Sequence, residues 1–141
     1  MKKFFTVILI LIISCICTVS AQNNDSFINA LRNCTPYNSS GEIDINGITA
    51  VTTKQMRGWQ NDKCTYKESI SFQDKTINTV CRFSRPQIDE IVSVADAYYL
   101  TQKYSQEEVD TSSFESVKNN PIAQVIGKYL QDSSVCTTEG L

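Results

Sequence analysis

From residue 63 to residue 72 the chain alternates. Cys64, Tyr66, Glu68, Ile70 and Phe72 fall on one face, and Lys63, Thr65, Lys67, Ser69 and Ser71 on the other. A period of two with one face apolar, except at Glu68, predicts a half-buried strand. A second strand over 76–83 follows the turn Gln73-Asp74-Lys75 and carries Ile77, Thr79, Cys81 and Phe83 on one face. A turn centred between Asp74 and Lys75 sets Phe72 opposite Ile77 and Tyr66 opposite Phe83, so that apolar meets apolar across the hairpin. In that register Cys81 faces Glu68.

The period then changes. Ser84-Arg85-Pro86-Gln87 has capping-box spacing with proline in the first turn. Ile88, Ile91, Val92, Ala95, Tyr98 and Tyr99 recur at helical spacing, with Asp89, Ser93 and Asp96 on the other side. Upstream, Phe27, Ala30, Leu31 and Cys34 form a shorter helical stripe that Asp25 or Ser26 can cap and Thr35-Pro36 stops. Residues 36–41, rich in Asn and Ser, read as a loop. Residues 42–45 read as a short strand before Asn46-Gly47, and residues 48–57 as a longer one.

A five-residue loop over 58–62 would then pair Met56 with Cys64, Ala50 with Ile70 and Ile48 with Phe72. A two-residue turn at Asn61-Asp62 would put Thr53, Gln55 and Arg57 opposite the apolar face, so the pattern favours the longer loop. Further on, Asp110 caps a short helical segment around Phe114 and Val117. Asn120-Pro121 opens a stronger helix bearing Ile122, Val125, Ile126, Tyr129 and Leu130. Residues 132–141 read as a tail held by Cys136. The fold class expected is α+β: a small antiparallel meander of three to four strands packed against helices and stapled by disulfides.

The chain's start changes the picture of where this domain works. Lys2-Lys3, an apolar run over 4–14 and Val19-Ser20-Ala21 have the layout of a signal peptide over 1–21, leaving 22–141 as one exported domain, periplasmic or secreted. The alternatives are a lipoprotein anchored at Cys15, whose Ile12-Ile13-Ser14-Cys15 resembles a lipobox, and an uncleaved anchor, for which the run is short. Cysteine parity separates the first two. Cleavage after Ala21 leaves Cys34, Cys64, Cys81 and Cys136; lipidation at Cys15 leaves Cys17 over.

Four cysteines spaced 30, 17 and 55 residues apart, in a chain without histidine, read as disulfides rather than metal ligands. Three pairings are open. The hairpin register sets Cys64 four residues from the position opposite Cys81, about 13 Å along the strand and beyond the reach of a bridge. Each hairpin cysteine should therefore take Cys34 or Cys136.

Charge and residue inventory narrow function by exclusion. The net charge of −2 becomes −4 once Lys2 and Lys3 are removed, which argues against a nucleic-acid binder. No histidine is present to serve a triad, and no phosphate-binding loop or EF-hand motif occurs. Glu68, Asp89, Glu90 and Asp96 leave a paired-carboxylate hydrolase formally open, but Asp89 and Asp96 belong to a solvated helix face and Glu107-Glu108 to a loop. No cofactor or metal is expected, and the membrane enters only through the leader or a lipid at Cys15.

Two residues stand out. Glu68 interrupts an apolar face near Thr52 and Lys54, as an ion pair with Lys54 at the sheet's rim, as the mark of a local fault in the register, or as a ligand-facing carboxylate in a shallow pocket. Trp59, the chain's one tryptophan, is either a lid on the core or an anchor for a partner. Tyr98, Tyr99 and Tyr104 read as helix packing. Asn24, Asn33 and Asn38 open N-x-S/T triplets, which matter only in a eukaryotic secretory route.

A helix followed by an antiparallel sheet resembles the architecture of cystatin-like folds, a build that inhibitors of proteases and lysozymes also use. The Q-x-V-x-G motif of cystatins is absent, Gln55-Met56-Arg57-Gly58 having a different spacing. The expectation is a non-catalytic exported domain that binds a protein or envelope component, an inhibitor being one form of it. The alternatives are a small-ligand carrier or weak carboxylate hydrolase around Glu68, and a purely structural envelope protein.

Overall fold

The computed structural model describes residues 21–45, 47–105 and 119–140. The expected leader, apart from Ala21, and the segment around Phe114 and Val117 lie outside them. Among the described residues three helices, α1 (Ala21–Asn33), α2 (Arg85–Ser105) and α3 (Pro121–Leu130), accompany five strands. These are β1 (Tyr37–Ile45), β2 (Ile48–Gln60), β3 (Lys63–Phe72), β4 (Lys75–Phe83) and β5 (Cys136–Glu139), and they form one antiparallel sheet in sequence order. The chain is an α+β meander with its helices packed on one face.

The β3 boundaries agree with its alternation, but both hairpin registers differ from the pattern-based ones by two residues. Between β3 and β4 the turn has two residues, Gln73 and Asp74, with Gln73 at φ 51°. Tyr66 therefore faces Cys81, Glu68 faces Thr79 and Ile70 faces Ile77. Between β2 and β3 the turn is also two residues long, with Asn61 and Asp62 both at positive φ, as a type I′ turn requires.

The pattern argued against that turn because it would bring the wrong face of β2 to the core. A bulge at Arg57 removes the objection. Met56 pairs with Tyr66 and Gly58 with Thr65, so Arg57 is the extra residue. Upstream of it Ala50, Thr52, Lys54 and Met56 turn inward; downstream of it Trp59 faces Cys64. Gly58 sits at φ 91°, a conformation open to glycine.

Two further expectations are corrected. Residues 37–41 are strand rather than loop, and residues 136–139 are strand rather than a tail held by Cys136 alone. Both lie at sheet edges, where pairing with a neighbour, not side-chain propensity, decides the conformation. The first helix also extends back to Ala21, ahead of both candidate caps.

Each hairpin cysteine is bridged outside its hairpin. Cys34 joins Cys64 with Cα atoms 5.8 Å apart, and Cys81 joins Cys136, its direct cross-strand neighbour, at 4.1 Å. Two disulfides of this kind belong to an oxidising, extracytoplasmic compartment. The first also ends α1. The Cys34 N–H donates to Leu31 O and the Thr35 N–H to Ala30 O, with Cys34 at φ 51°. This is a Schellman cap with cysteine where glycine is usual; the bridge to β3 holds it there.

The other helix starts follow their sequence signals. The Ser84 N–H donates to Gln87 Oε1 at 2.7 Å. Asn120 caps α3, accepting from the Ile122 and Ala123 N–H groups. Arg32 grips Asp96 with two hydrogen bonds, tying α1 to α2. Lys128 and Tyr129 both donate to Glu90, tying α3 to α2. The core between helices and sheet holds Phe27, Leu31, Met56, Tyr66, Phe83, Ile88, Ile91 and Ile126.

Candidate functional site

The pairing registers lay a polar row across the covered face of the sheet. Ser39, Lys54, Glu68, Thr79 and Thr138 are successive cross-strand partners from β1 to β5. Opposite residues share a face, so all five point toward the helices. Lys54, Glu68 and Thr79 are buried, and Thr52 on the next row is buried too. On one side of the row stands the main core; on the other is a small cluster of Ala50 and Ile70 with Ile43, Phe72 and Leu130 against it.

Glu68 is the centre of this row. It is 1% exposed and is not at the sheet's rim. Its Oε2 accepts from the Tyr66 hydroxyl at 3.1 Å, while Oε1 has no hydrogen-bond partner among the described residues. Lys54 lies directly opposite on β2, its ammonium 6.0 Å from the centre of the Phe27 ring, whose edge meets Tyr66. Beyond Glu68, Thr79 and Thr138 share a hydroxyl hydrogen bond of 3.1 Å.

Loss of hydration pushes the Glu68 carboxyl up to about 7, against opposing pulls from the Lys54 charge and the Tyr66 hydroxyl. The group therefore takes up and releases its proton near neutral pH. Chemically, the row offers a carboxyl with one uncommitted oxygen, an ammonium and three hydroxyls, buried at Lys54, Glu68 and Thr79 and half-buried at its ends, Ser39 and Thr138. That set suits holding a proton or a polar group more than building a nucleophile.

Trp59 lies at the other end of β2, where the β2–β3 hairpin turns. It is 41% exposed. The Arg85 guanidinium stacks 4.7 Å from its ring centre. Arg85 also donates to Arg32 O and approaches Asp89, so the stack is fixed to the ends of two helices. The indole is neither a fully closed lid nor a free side chain; it is a half-exposed aromatic on a braced support. Arg85 went unnoticed in the sequence, since its contact runs between β2 and α2 and no local spacing signals it. Lys54 had a signal, for it shares the period-two face of Ala50, Thr52 and Met56.

The remaining candidates are arranged for packing or solvent. Tyr98 and Tyr99 meet in a tilted contact, ring centres 5.9 Å apart, against the core's edge, and Tyr104 is exposed. Asp89 and Asp96 pair with arginines on the helix surface, while Glu107 and Glu108 lie outside the described residues. Among the described residues no group of three or more His, Cys, Asp or Glu is placed to hold a metal. Among them, too, no helix is long and apolar enough to cross a membrane. No protein-family model, curated protein or solved structure matches this chain.

Proposed function

We propose that the chain is an exported, non-catalytic binding domain that grips a protein or envelope component at the β2–β3 hairpin tip. The observation that carries this reading is Trp59: a large aromatic left 41% exposed and braced by Arg85. Trp and Arg are the side chains most enriched where binding energy concentrates, and rigid support lowers the entropy lost on association. An inhibitor is one form such a domain takes.

The test is Trp59→Ala. Recovery of partners from envelope or secretion extracts should fall several-fold while the unfolding temperature drops by no more than about five degrees. A lower unfolding temperature with undiminished recovery would make Trp59 a lid and end the anchor role.

A second reading draws on Glu68 Oε1, an orphaned buried oxygen. A small-ligand carrier or weak hydrolase would use it as an acceptor, and Glu68→Gln would abolish ligand binding with the fold intact. A purely structural envelope protein would show neither effect.

A further inference from the structure

The solvent side of the sheet is divided by charge. Near the β2–β3 tip it carries Arg57, Lys63, Lys67 and Arg82, from three adjacent strands. Arg57, at the bulge, is placed on that side by its 2.9 Å hydrogen bond to Gln55. Lys63 and Lys67 alternate with the inward Cys64 and Tyr66, and Arg82 pairs with Thr65. At strand spacings the four occupy a patch of about 14 by 10 Å. None makes an ion pair among the described residues, whose salt bridges are Arg32–Asp96, Arg85–Asp89 and Lys128–Glu90.

The other half of the same face carries acids instead, Glu42 and Asp44 on β1 and Glu139 on β5. The chain as a whole is net negative at −2, so the cationic half runs against its composition.

We propose that this half of the sheet binds an acidic polysaccharide, a chain bearing carboxylate or sulfate groups. Between the cations lies Gln55, a half-buried amide suited to sugar oxygens, and Val80 is the apolar residue among them. That composition lacks the aromatic centre of a protein interface and the apolar residues that wedge into a lipid surface. An open, twisted sheet face accepts an extended polymer, and cations without ion-pair partners gain most from anions that arrive in series. The surface is separate from Trp59, which points to the opposite side of the sheet.

The experiment uses the full chain with both disulfides intact, and measures binding to heparin and to polygalacturonate near physiological salt. Both should bind, more weakly as salt rises. Lys63→Glu with Lys67→Glu should weaken binding at least about tenfold, while Lys75→Glu with Lys103→Glu, the same change in net charge made elsewhere, should cost less than about twofold. If the first pair lowers the unfolding temperature, Arg82→Gln serves in its place, with a loss of several-fold expected.

Equal losses in both pairs would reduce the effect to net charge and overturn the proposal. So would no binding to either polymer, or tighter binding to duplex DNA, poly-glutamate or phosphatidylserine vesicles. Trp59→Ala should leave polysaccharide binding unchanged, so this surface and the tip stand or fall separately.

Discussion

The middle and the tip of β2–β3 break the same rule in opposite directions. In the middle, Lys54 and Glu68 are charged side chains shut under helices; at the tip, Trp59 is a large aromatic left partly in water. The two cases are kept in place differently. Glu68 is held by its row: a cation opposite, a tyrosine hydroxyl on one oxygen and threonines beyond. Trp59 is held from outside the sheet, by Arg85 on α2 and by the Cys34–Cys64 bridge beneath its strand partner. A buried charge depends on electrostatics and so on pH, whereas a braced aromatic depends on covalent and stacking support and is nearly indifferent to pH.

The sharpest way to break the tip's support is to remove the disulfide. Cys34→Ala with Cys64→Ala should cost about 4 kcal/mol in the chain-entropy account of a loop of this length. It should also fray the end of α1, because Cys34 would no longer be fixed at positive φ. Urea unfolding gives the first number, and hydrogen exchange at the amides of positions 34 and 35, which close the helix cap in the native chain, reports the second. Loss of protection confined to β5 would show that the support lies elsewhere.

Breaking the middle comes next. Lys54→Ala removes the charge that opposes the upward shift of the Glu68 carboxyl, which should then hold its proton to higher pH, and the variant should lose up to about 3 kcal/mol at pH 8, where the native pair is charged. At pH 5 the cost should shrink, since a protonated carboxyl needs no counter-charge. Equal destabilisation at the two pH values would mean that Lys54 contributes packing alone.

Much of this contrast was legible in the residues, and what escaped has physical causes. Glu68 stood out because alternation is strict and a carboxylate breaks it. Trp59 stood out as a lone large aromatic in a turn region. The face on which each lies was harder to read. Arg57 is an inserted residue that switches the alternation of β2, and its trace in the sequence is one glycine, Gly58, inside a strand. Without that insertion the Asn61-Asp62 turn would expose the wrong face, so pattern alone favoured a longer loop and misplaced the register by two.

The bridging rule survived that error. Cys64 sits two residues, not four, from the position facing Cys81, and its outside partner is Cys34. The polar edge strands β1 and β5 left little local signal, because their conformation is set by β2 and β4. The polar row is a property of five strands in register and emerges only once all four pairings are known.

A smaller effect should separate the two regions by titration. The Glu68 carboxyl titrates at about 7 in the fold against an ordinary 4.5, so the folded state binds its proton more tightly than the unfolded state. Its contribution to stability is complete below 4.5 and is lost as pH rises through 7, a fall of roughly 3 kcal/mol at most. Glu90 and Asp132, held low by Lys128 and Ser134, act in the other window and lose their contributions below their ordinary values. Urea unfolding between pH 4.5 and 8 should therefore show stability declining in the native chain and nearly flat in Glu68→Gln. A Glu68→Gln chain with the same slope would move the proton-binding group away from the row.

The tip should give the smallest change in stability. Trp59→Ala removes a half-exposed ring and its stack on Arg85, and a surface cation–aromatic contact contributes about 0.5–1 kcal/mol. The unfolding free energy should drop by about that much at pH 5 and at pH 8 alike. Arg85→Ala should reproduce the loss, and the double variant should cost less than the sum of the two, because both single changes delete one shared contact. Strict additivity would show the stack to be an idle contact. The tip would then owe its rigidity to the disulfide and the type I′ turn alone, and Trp59 would be free to reorient toward whatever the hairpin meets.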